Sequence, residues 1–164
     1  MTRRWRAPAG FTLIEMLVVL AIVGILAGAA IPLVEHTARR AREAQLREGL
    51  RSIRQALDAH RDAVEARRIG AGPDGSPWPA TLEVLEQGVP MLDAEGRPRE
   101  GVRLHLLRRL PRDPFADPTL GAAATWARRA STSPPGQFDG GADIIDIASR
   151  SAARALDGSQ YRDW

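Results

Sequence analysis

An uninterrupted run of uncharged, mostly apolar residues occupies positions 16–34 of this 164-residue chain. As a helix rising about 1.5 Å per residue, the run is roughly 28 Å long, close to the roughly 30 Å hydrocarbon core of a bilayer. Apolar runs of this length are rare outside membranes. We therefore predict a transmembrane helix over residues 11–34, in preference to a buried core helix of a soluble protein.

A secretory signal peptide is the main alternative, because it also combines a basic start with an apolar stretch. Residues 27–29, Ala-Gly-Ala, offer the small side chains at which a signal peptidase would cleave. Glu15 opposes this interpretation, since it places a carboxylate inside the apolar region. In this alternative the mature chain would be a soluble periplasmic protein.

The basic surplus of the chain is confined to its first ten residues. The formal net charge is +3, and this stretch contains Arg3, Arg4 and Arg6 with no acidic residue, so the remainder is formally neutral. A nucleic-acid-binding protein is expected to carry its basic surplus on its folded part. Aromatic residues, at 5% of the chain, are also too few for a base-stacking surface. We therefore expect no nucleic-acid partner.

Helical periodicity continues well beyond the apolar run. A narrow apolar stripe with spacings of three and four residues, interrupted only by His60, consists of Leu46, Leu50, Ile53, Leu57 and Val64. The helix face opposite this stripe carries charges of alternating sign. It includes the i,i+4 pairs Glu35–Arg39, Arg39–Glu43 and Glu43–Arg47, which indicate a solvated face. We predict that the helix continues over residues 35–69, as far as about Arg68, and that the Gly- and Pro-containing segment 70–75 ends it.

The remaining residues, 70–164, show the mixed pattern of a small α+β domain. A short helix is predicted over 80–87, and strands are predicted around 102–106, 126–129 and 143–149. Proline-rich or glycine-rich segments at 110–118 and 131–141 are predicted loops. The predicted fold class is therefore α+β, with one long N-terminal helix packed on a small antiparallel β-sheet.

The sequence shows no catalytic constellation. Its three histidines, His36, His60 and His105, are scattered, and there is no cysteine. No phosphate-binding glycine loop and no nucleophile elbow occurs. Asp113 and Asp117 lie in the proline-rich loop, where turn formation is the simpler explanation. We predict a structural protein without a cofactor rather than an enzyme.

Residues 10–19, Gly-Phe-Thr-Leu-Ile-Glu-Met-Leu-Val-Val, resemble the processing motif of type IV pilins and type II secretion pseudopilins. The resemblance implies that residues 1–10 are a leader, which a prepilin peptidase removes by cutting between Gly10 and Phe11, and that Phe11 is then N-methylated. It also implies that Glu15 acts in fibre assembly and that Pro32 kinks the helix. Proline inside a helix removes one backbone hydrogen bond, which agrees with a kink.

Segments of the second half resemble the G-type major pseudopilin of type II secretion. These are residues 108–115 with Leu-Pro-Arg-Asp-Pro-Phe, residues 142–149 with Ala-Asp-Ile-Ile-Asp-Ile-Ala-Ser, and residues 161–164. The resemblance implies a structural subunit of a pseudopilus, which is assembled from the inner membrane and drives folded proteins across the outer membrane. A minor pseudopilin and a type IV pilin, including a DNA-uptake pilin, stay open as alternatives.

The same resemblance implies the location and the partners. The chain would cross the inner membrane of a Gram-negative bacterium once, with its N-terminus in the cytoplasm and residues 35–69 and 70–164 in the periplasm. Its partners would be copies of itself in a helical homopolymer, other pseudopilins, the prepilin peptidase, the inner-membrane assembly platform and membrane lipid.

Major pseudopilins of this type often bind calcium close to the C-terminal end. In this chain the side-chain oxygens available there belong to Asp157, Ser159 and Asp163. Calcium usually takes six to eight oxygen ligands, so these three fall short of a complete site. We therefore assign no metal from the sequence and keep these residues as calcium candidates.

Overall fold

The computed structural model describes residues 10–164, apart from the side chains of residues 27–33. The chain divides into two compact units, Met1–Arg40 and Ala41–Trp164. The helices and strands, in chain order, are α1 (Leu13–Glu65), α2 (Glu83–Gln87), β1 (Val89–Leu92), β2 (Pro98–Leu104), β3 (Trp126–Arg129), β4 (Asp139–Gly140) and β5 (Asp146–Ser149). Helix α1 contributes residues to both units. The predicted leader, apart from Gly10, lies outside the described residues.

The long helix is confirmed, although it ends earlier than predicted. It stops at Glu65, because Arg67 adopts a left-handed backbone conformation with φ 55°. The amide of Arg67 donates to the carbonyl of Val64 at 2.8 Å, and that of Arg68 donates to Ala63 at 2.9 Å. This pair of bonds is a Schellman motif, which satisfies the last carbonyls of a helix and turns the chain away. The backbone of α1 is helical at Pro32, but its side chain lies outside those described, so the kink stays a prediction.

The predicted apolar stripe of α1 is confirmed at four of its five positions as part of the core of the second unit, while Val64 is half-buried and lies outside the core cluster. Leu46 and Ile53 are fully buried, and Leu50 and Leu57 are 3% and 1% exposed. They pack in one cluster with side chains from α2, β3, β5 and the loops, among them Leu82, Leu85, Trp126, Ile147 and Tyr161. The hydrophobic effect therefore fastens this part of α1 to the rest of the unit.

Trp126, at the start of β3, is the largest fully buried side chain among the residues that the structure describes. Its indole Nε1 donates to the carbonyl of Pro111 at 2.9 Å, so its polar atom is satisfied inside the core. Gly49 on α1 allows the indole to approach the helix, since a Cβ there would lie 3.3 Å from the ring. This contact explains a glycine in the middle of the helix, where it otherwise destabilises.

The α+β class is confirmed, and the strands form two small sheets. β1 and β2 pair antiparallel, and β3 pairs antiparallel with β5. Two strands lie outside the prediction: β1, and the two-residue β4, which runs parallel to β3 within the predicted loop 131–141. The predicted strand 143–149 begins only at Asp146, and the predicted helix 80–87 begins at Glu83.

One prediction about the charged face of α1 is wrong. The i,i+4 spacing predicts that Glu43 lies on a solvated face, but Glu43 is only 5% exposed. The spacing of charges gives no information on residues distant in sequence, and here the loop near residue 160 covers Glu43. A carboxylate is rarely buried without partners, and its partners lie in that loop.

Leu50→Ala is expected to lower the melting temperature of the full chain in detergent by about 10 °C. Removing a buried leucine costs roughly 2–5 kcal/mol, which is a large share of the free energy of unfolding of a small domain. Intrinsic tryptophan fluorescence would follow the transition, because Trp126 is buried in the same cluster. Arg51→Ala, at an exposed neighbouring position, is the control. An unchanged midpoint for Leu50→Ala would mean that the stripe contributes little to this core.

His60 connects α1 to the loop that precedes α2. It is 2% exposed, and its Nδ1 lies 2.9 Å from the carbonyl oxygen of Pro77. A carbonyl only accepts, so Nδ1 carries the proton and donates. Burial lowers the pKa of His60 below its ordinary value, and the hydrogen bond to Pro77 offsets this only in part. The neutral imidazole is therefore the form that the folded chain prefers.

Acidification is expected to destabilise the second unit through His60. On acidification the unfolded chain protonates this histidine first, near its ordinary pKa of about 6.5, so the free energy of unfolding falls below about pH 6.5. Melting curves between pH 7.5 and 5.5 would record the loss. His60→Gln should remove most of this dependence, whereas His36→Gln, at an exposed position, should retain it. Equal pH dependence in the His60→Gln chain would contradict the assignment.

Candidate functional site

The predicted processing junction lies just before the long helix. Gly10 and Phe11 are in non-helical backbone, and the side chain of Phe11 is 76% exposed. Proteolysis needs an extended, accessible segment, which a hydrogen-bonded helix does not provide. The described backbone at Gly10 and Phe11 is therefore accessible, as cleavage between them would require.

Thr12 fixes the start of α1. Its hydroxyl oxygen accepts a hydrogen bond from the amide of Glu15 at 3.2 Å, and its carbonyl accepts one from Met16 at 3.2 Å. Thr12 is thus the N-cap residue, and Glu15 occupies the third helical position. The spacing Thr-x-x-Glu is that of a capping box, a sequence pattern from which this helix start could have been predicted.

Glu15 lies in the first turn of α1 and is exposed. An acidic side chain is favourable there, because the helix N-terminus carries a partial positive charge. Glu15 is also separated from the junction by only a few residues. Cleavage at the predicted junction would therefore create a new amine four residues before Glu15 in the chain.

Exposed apolar side chains cover the start of α1. Among the described residues of the first unit, the exposed large hydrophobic ones are Phe11, Leu13, Ile14, Met16, Leu17, Val18, Val19, Leu20, Ile22, Val23, Ile25, Leu26 and Val34. Such a surface indicates contact with lipid or with other chains. Where both backbone and side chains are described, no helix is long and apolar enough to span a membrane. The predicted span 11–34 includes residues 27–33, whose side chains are outside that set.

The calcium candidates are only partly brought together. Asp157 Oδ1 accepts from the amide and the hydroxyl of Ser159, at 2.9 and 2.6 Å, and these bonds keep the pKa of Asp157 below its ordinary value. Asp163 is mostly exposed, and its Oδ1 lies 3.8 Å from Nε of Arg162. Among the residues that the structure describes, no group of three or more His, Cys, Asp or Glu side chains is arranged to hold a metal ion.

Asp113 connects two of the three segments that resemble the major pseudopilin, residues 108–115 and 142–149. It is fully buried, and its carboxylate accepts from the amide of Phe115 at 2.8 Å and from the hydroxyl of Ser149 at 2.6 Å. The first bond closes the predicted turn, and the second joins the proline-rich loop to the end of β5. The sequence predicted the turn but contained no indication of the bond to Ser149.

Asp143, which lies just before β5, has a similar structural role. Burial alone would raise its pKa, but hydrogen bonds from Ser76 and Ser131 outweigh burial and keep the pKa below its ordinary value. The carboxylate thus joins the loop before α2 to the loop after β3. Both buried aspartates have donors that account for them structurally.

These features define a class of protein: a pilin-like fibre subunit, with a capped, apolar N-terminal helix and a small α+β domain. Comparison with known families agrees, since residues 5–31 match the family model described as the prokaryotic N-terminal methylation motif. No solved structure matches the chain significantly.

Similarity to two curated proteins identifies the family within this class. The type II secretion system core protein G of Pseudomonas aeruginosa is 30% identical over 113 residues, which cover 69% of this chain and 72% of the relative. The protein of the same name from Aeromonas hydrophila is 28% identical over 113 residues, covering 69% and 71%. The chain therefore belongs to the family of type II secretion system core protein G. It is a structural subunit of a type II secretion pseudopilus, and not an enzyme.

Membership also indicates a membrane-anchored pseudopilin with a periplasmic domain, which assembles with other pseudopilins. The motif match covers Gly10, Phe11 and Glu15, and thus the residues of the predicted junction, the Thr12 cap and the first-turn carboxylate.

The residues that sequence reasoning missed, Thr12 and Glu43, are both explained by hydrogen bonds. Only the first had a sequence pattern that would have revealed it.

Proposed function

We propose that a prepilin peptidase cleaves this chain between Gly10 and Phe11 and that the new amine of Phe11 is methylated. The exposed, non-helical junction immediately before the Thr12 cap supports this assignment. Cleavage there removes the basic leader and leaves a helix that starts two residues from the new N-terminus. Residues 1–10 are thus the leader of the precursor.

Residues 11–34 then anchor the chain as a single span of the inner membrane of a Gram-negative cell. The leader arginines Arg3, Arg4 and Arg6 favour a cytoplasmic N-terminus, because basic residues are retained on that side. Residues 35–69, in which α1 ends at Glu65, lie in the periplasm, where residues 70–164 complete the folded domain. The exposed apolar surface of the first unit supports this placement.

Assembly depends on Glu15. The observation that carries this proposal is a carboxylate in the first turn of a helix whose neighbouring surface is apolar. We assign its partner as the amine of Phe11 in the adjacent subunit of the fibre, and a membrane-inserted carboxylate of this kind is functional by default. Copies of the chain, together with other pseudopilins, are added by the inner-membrane assembly platform. The growing fibre drives folded proteins through the outer membrane.

The intact mass of the protein extracted from membranes tests the processing proposal. The expected mass is that of residues 11–164 plus one methyl group. A product that begins after residue 29 would instead identify signal peptidase, and a full-length mass would exclude cleavage altogether. Because one measurement reports both the cut and the methylation, it distinguishes a processed pseudopilin from a secreted soluble protein.

A further inference from the structure

Three charged side chains of α1 hold the loop at residues 150–164 against the helix. The first is Glu43, whose Oε1 accepts from the hydroxyl of Tyr161 at 2.9 Å and from the amide of Leu156 at 2.9 Å. Glu43 is 5% exposed and Tyr161 is fully buried. Hydrogen bonds to a charged acceptor are stronger than neutral ones, so this contact is well suited to fix the loop.

The second residue, Arg54, reaches the last residues of the chain. Its Nε donates to Asp146 Oδ1 at 2.9 Å, and its Nη2 donates to the backbone oxygens of Ile147 and Trp164, at 2.9 and 2.8 Å. One planar guanidinium thereby joins α1, β5 and the end of the loop. The fixed geometry of arginine donors makes such a multiple contact specific.

The third residue is Arg47, which lies between the other two along α1. Its guanidinium is 4.2 Å from the ring centroid of Trp164 and 3.5 Å from Asp157 Oδ2. Cations stack favourably on aromatic faces at such distances. The Tyr161 ring packs between the rings of Phe115 and Trp164, with centroid separations of 4.1 Å and 5.1 Å. Aromatic packing therefore completes the contact between the loop and the helix.

The oxygens of this loop do not fit calcium. Both carboxylate oxygens of Asp157 already face protein donors, Ser159 on one side and Arg47 on the other. The hydroxyl of Ser159 also accepts from the Trp164 indole at 2.7 Å. Calcium requires six to eight oxygens at about 2.3–2.6 Å, and a second cation next to the Arg47 guanidinium would be repelled.

We infer that Glu43, Arg47 and Arg54 form a protein clamp that fastens the C-terminal loop in place of a metal ion, so that the periplasmic domain of this pseudopilin is stable without calcium. The clamp goes beyond the proposed processing and assembly, because it concerns only the second unit. Arg47 and Asp157 supply, as a side-chain ion pair, the charge neutralisation that a metal would supply in the loop.

The melting temperature of the full chain in detergent tests metal independence. The midpoint, followed by tryptophan fluorescence, should be equal within error in excess EDTA and in millimolar calcium. A midpoint that rises with calcium, or that falls on chelation, would overturn the inference. Failure of processing or of fibre assembly would not affect this result, so the two proposals are tested separately.

Substitution of the clamp supplies a local test. Glu43→Ala should lower the midpoint by about 5 °C and should increase tryptic cleavage at Arg154 by about tenfold, since local opening exposes the loop. Glu48→Ala removes an exposed glutamate of the same helix and is the matched control. Arg47→Ala, which keeps the buried core intact, should also increase cleavage at Arg154. Unchanged cleavage in both clamp variants would overturn the inference.

Discussion

A Gly10→Val chain is expected to accumulate in the membrane as the full-length precursor. A peptidase that cuts after glycine must approach the backbone closely, and a β-branched side chain at the scissile position obstructs that approach. A Cβ added at Gly10 meets nothing within 4 Å in this chain. The substitution therefore leaves the subunit's own fold undisturbed, and a block in processing would report on recognition by the peptidase.

Gly24→Val is the matched control for this experiment. It makes the same change inside α1, and a Cβ at Gly24 also meets nothing within 4 Å. Because Gly24 lies away from the junction, this variant should be cleaved normally. Immunoblotting would separate precursor from mature chain, and intact mass would identify the ends. A mature, N-methylated product from Gly10→Val would contradict the assigned junction.

The sequence predicted those parts of the molecule that depend on local patterns. The stripe through Leu46, Leu50, Ile53 and Leu57 follows helical spacing, and the structure buries it because one face of a helix must pack on something apolar. Strand β3 and the turn at Asp113 likewise follow from short patterns of apolar, proline and aspartate residues.

The parts that were missed depend on contacts between distant residues. Strand β4 is two residues long and exists because residues 128 and 129 of β3 pair with it. Glu43 is buried because Tyr161, far along the chain, donates to it. A local pattern assigns such a glutamate to solvent, since nothing nearby in the sequence reveals its partner. The end of α1 was misplaced for a different reason, because an arginine rather than a glycine adopts the left-handed conformation.

Glu15→Val is expected to be cleaved and inserted but to fail in fibre assembly and in secretion. A charged residue within a bilayer costs around 2.5–3.5 kcal/mol at a helix centre, and less near a helix end. An ion pair between Glu15 and the Phe11 amine of the next subunit would offset this cost. At about 4 Å and an effective dielectric constant of about 20, the Coulomb energy is roughly 4 kcal/mol.

This energy is available only when the neighbouring subunit is in register, so the pairing favours assembly over the free membrane subunit. Apolar packing within lipid provides little register of its own, and valine supplies none of the missing charge. Shearing and sedimentation of fibres, together with the amount of exported protein, would measure the effect. Glu35→Val, at an exposed glutamate of the same helix beyond the apolar run, should assemble normally. Normal fibres and normal export from Glu15→Val would refute the pairing, because the register would then come from other contacts between the helices.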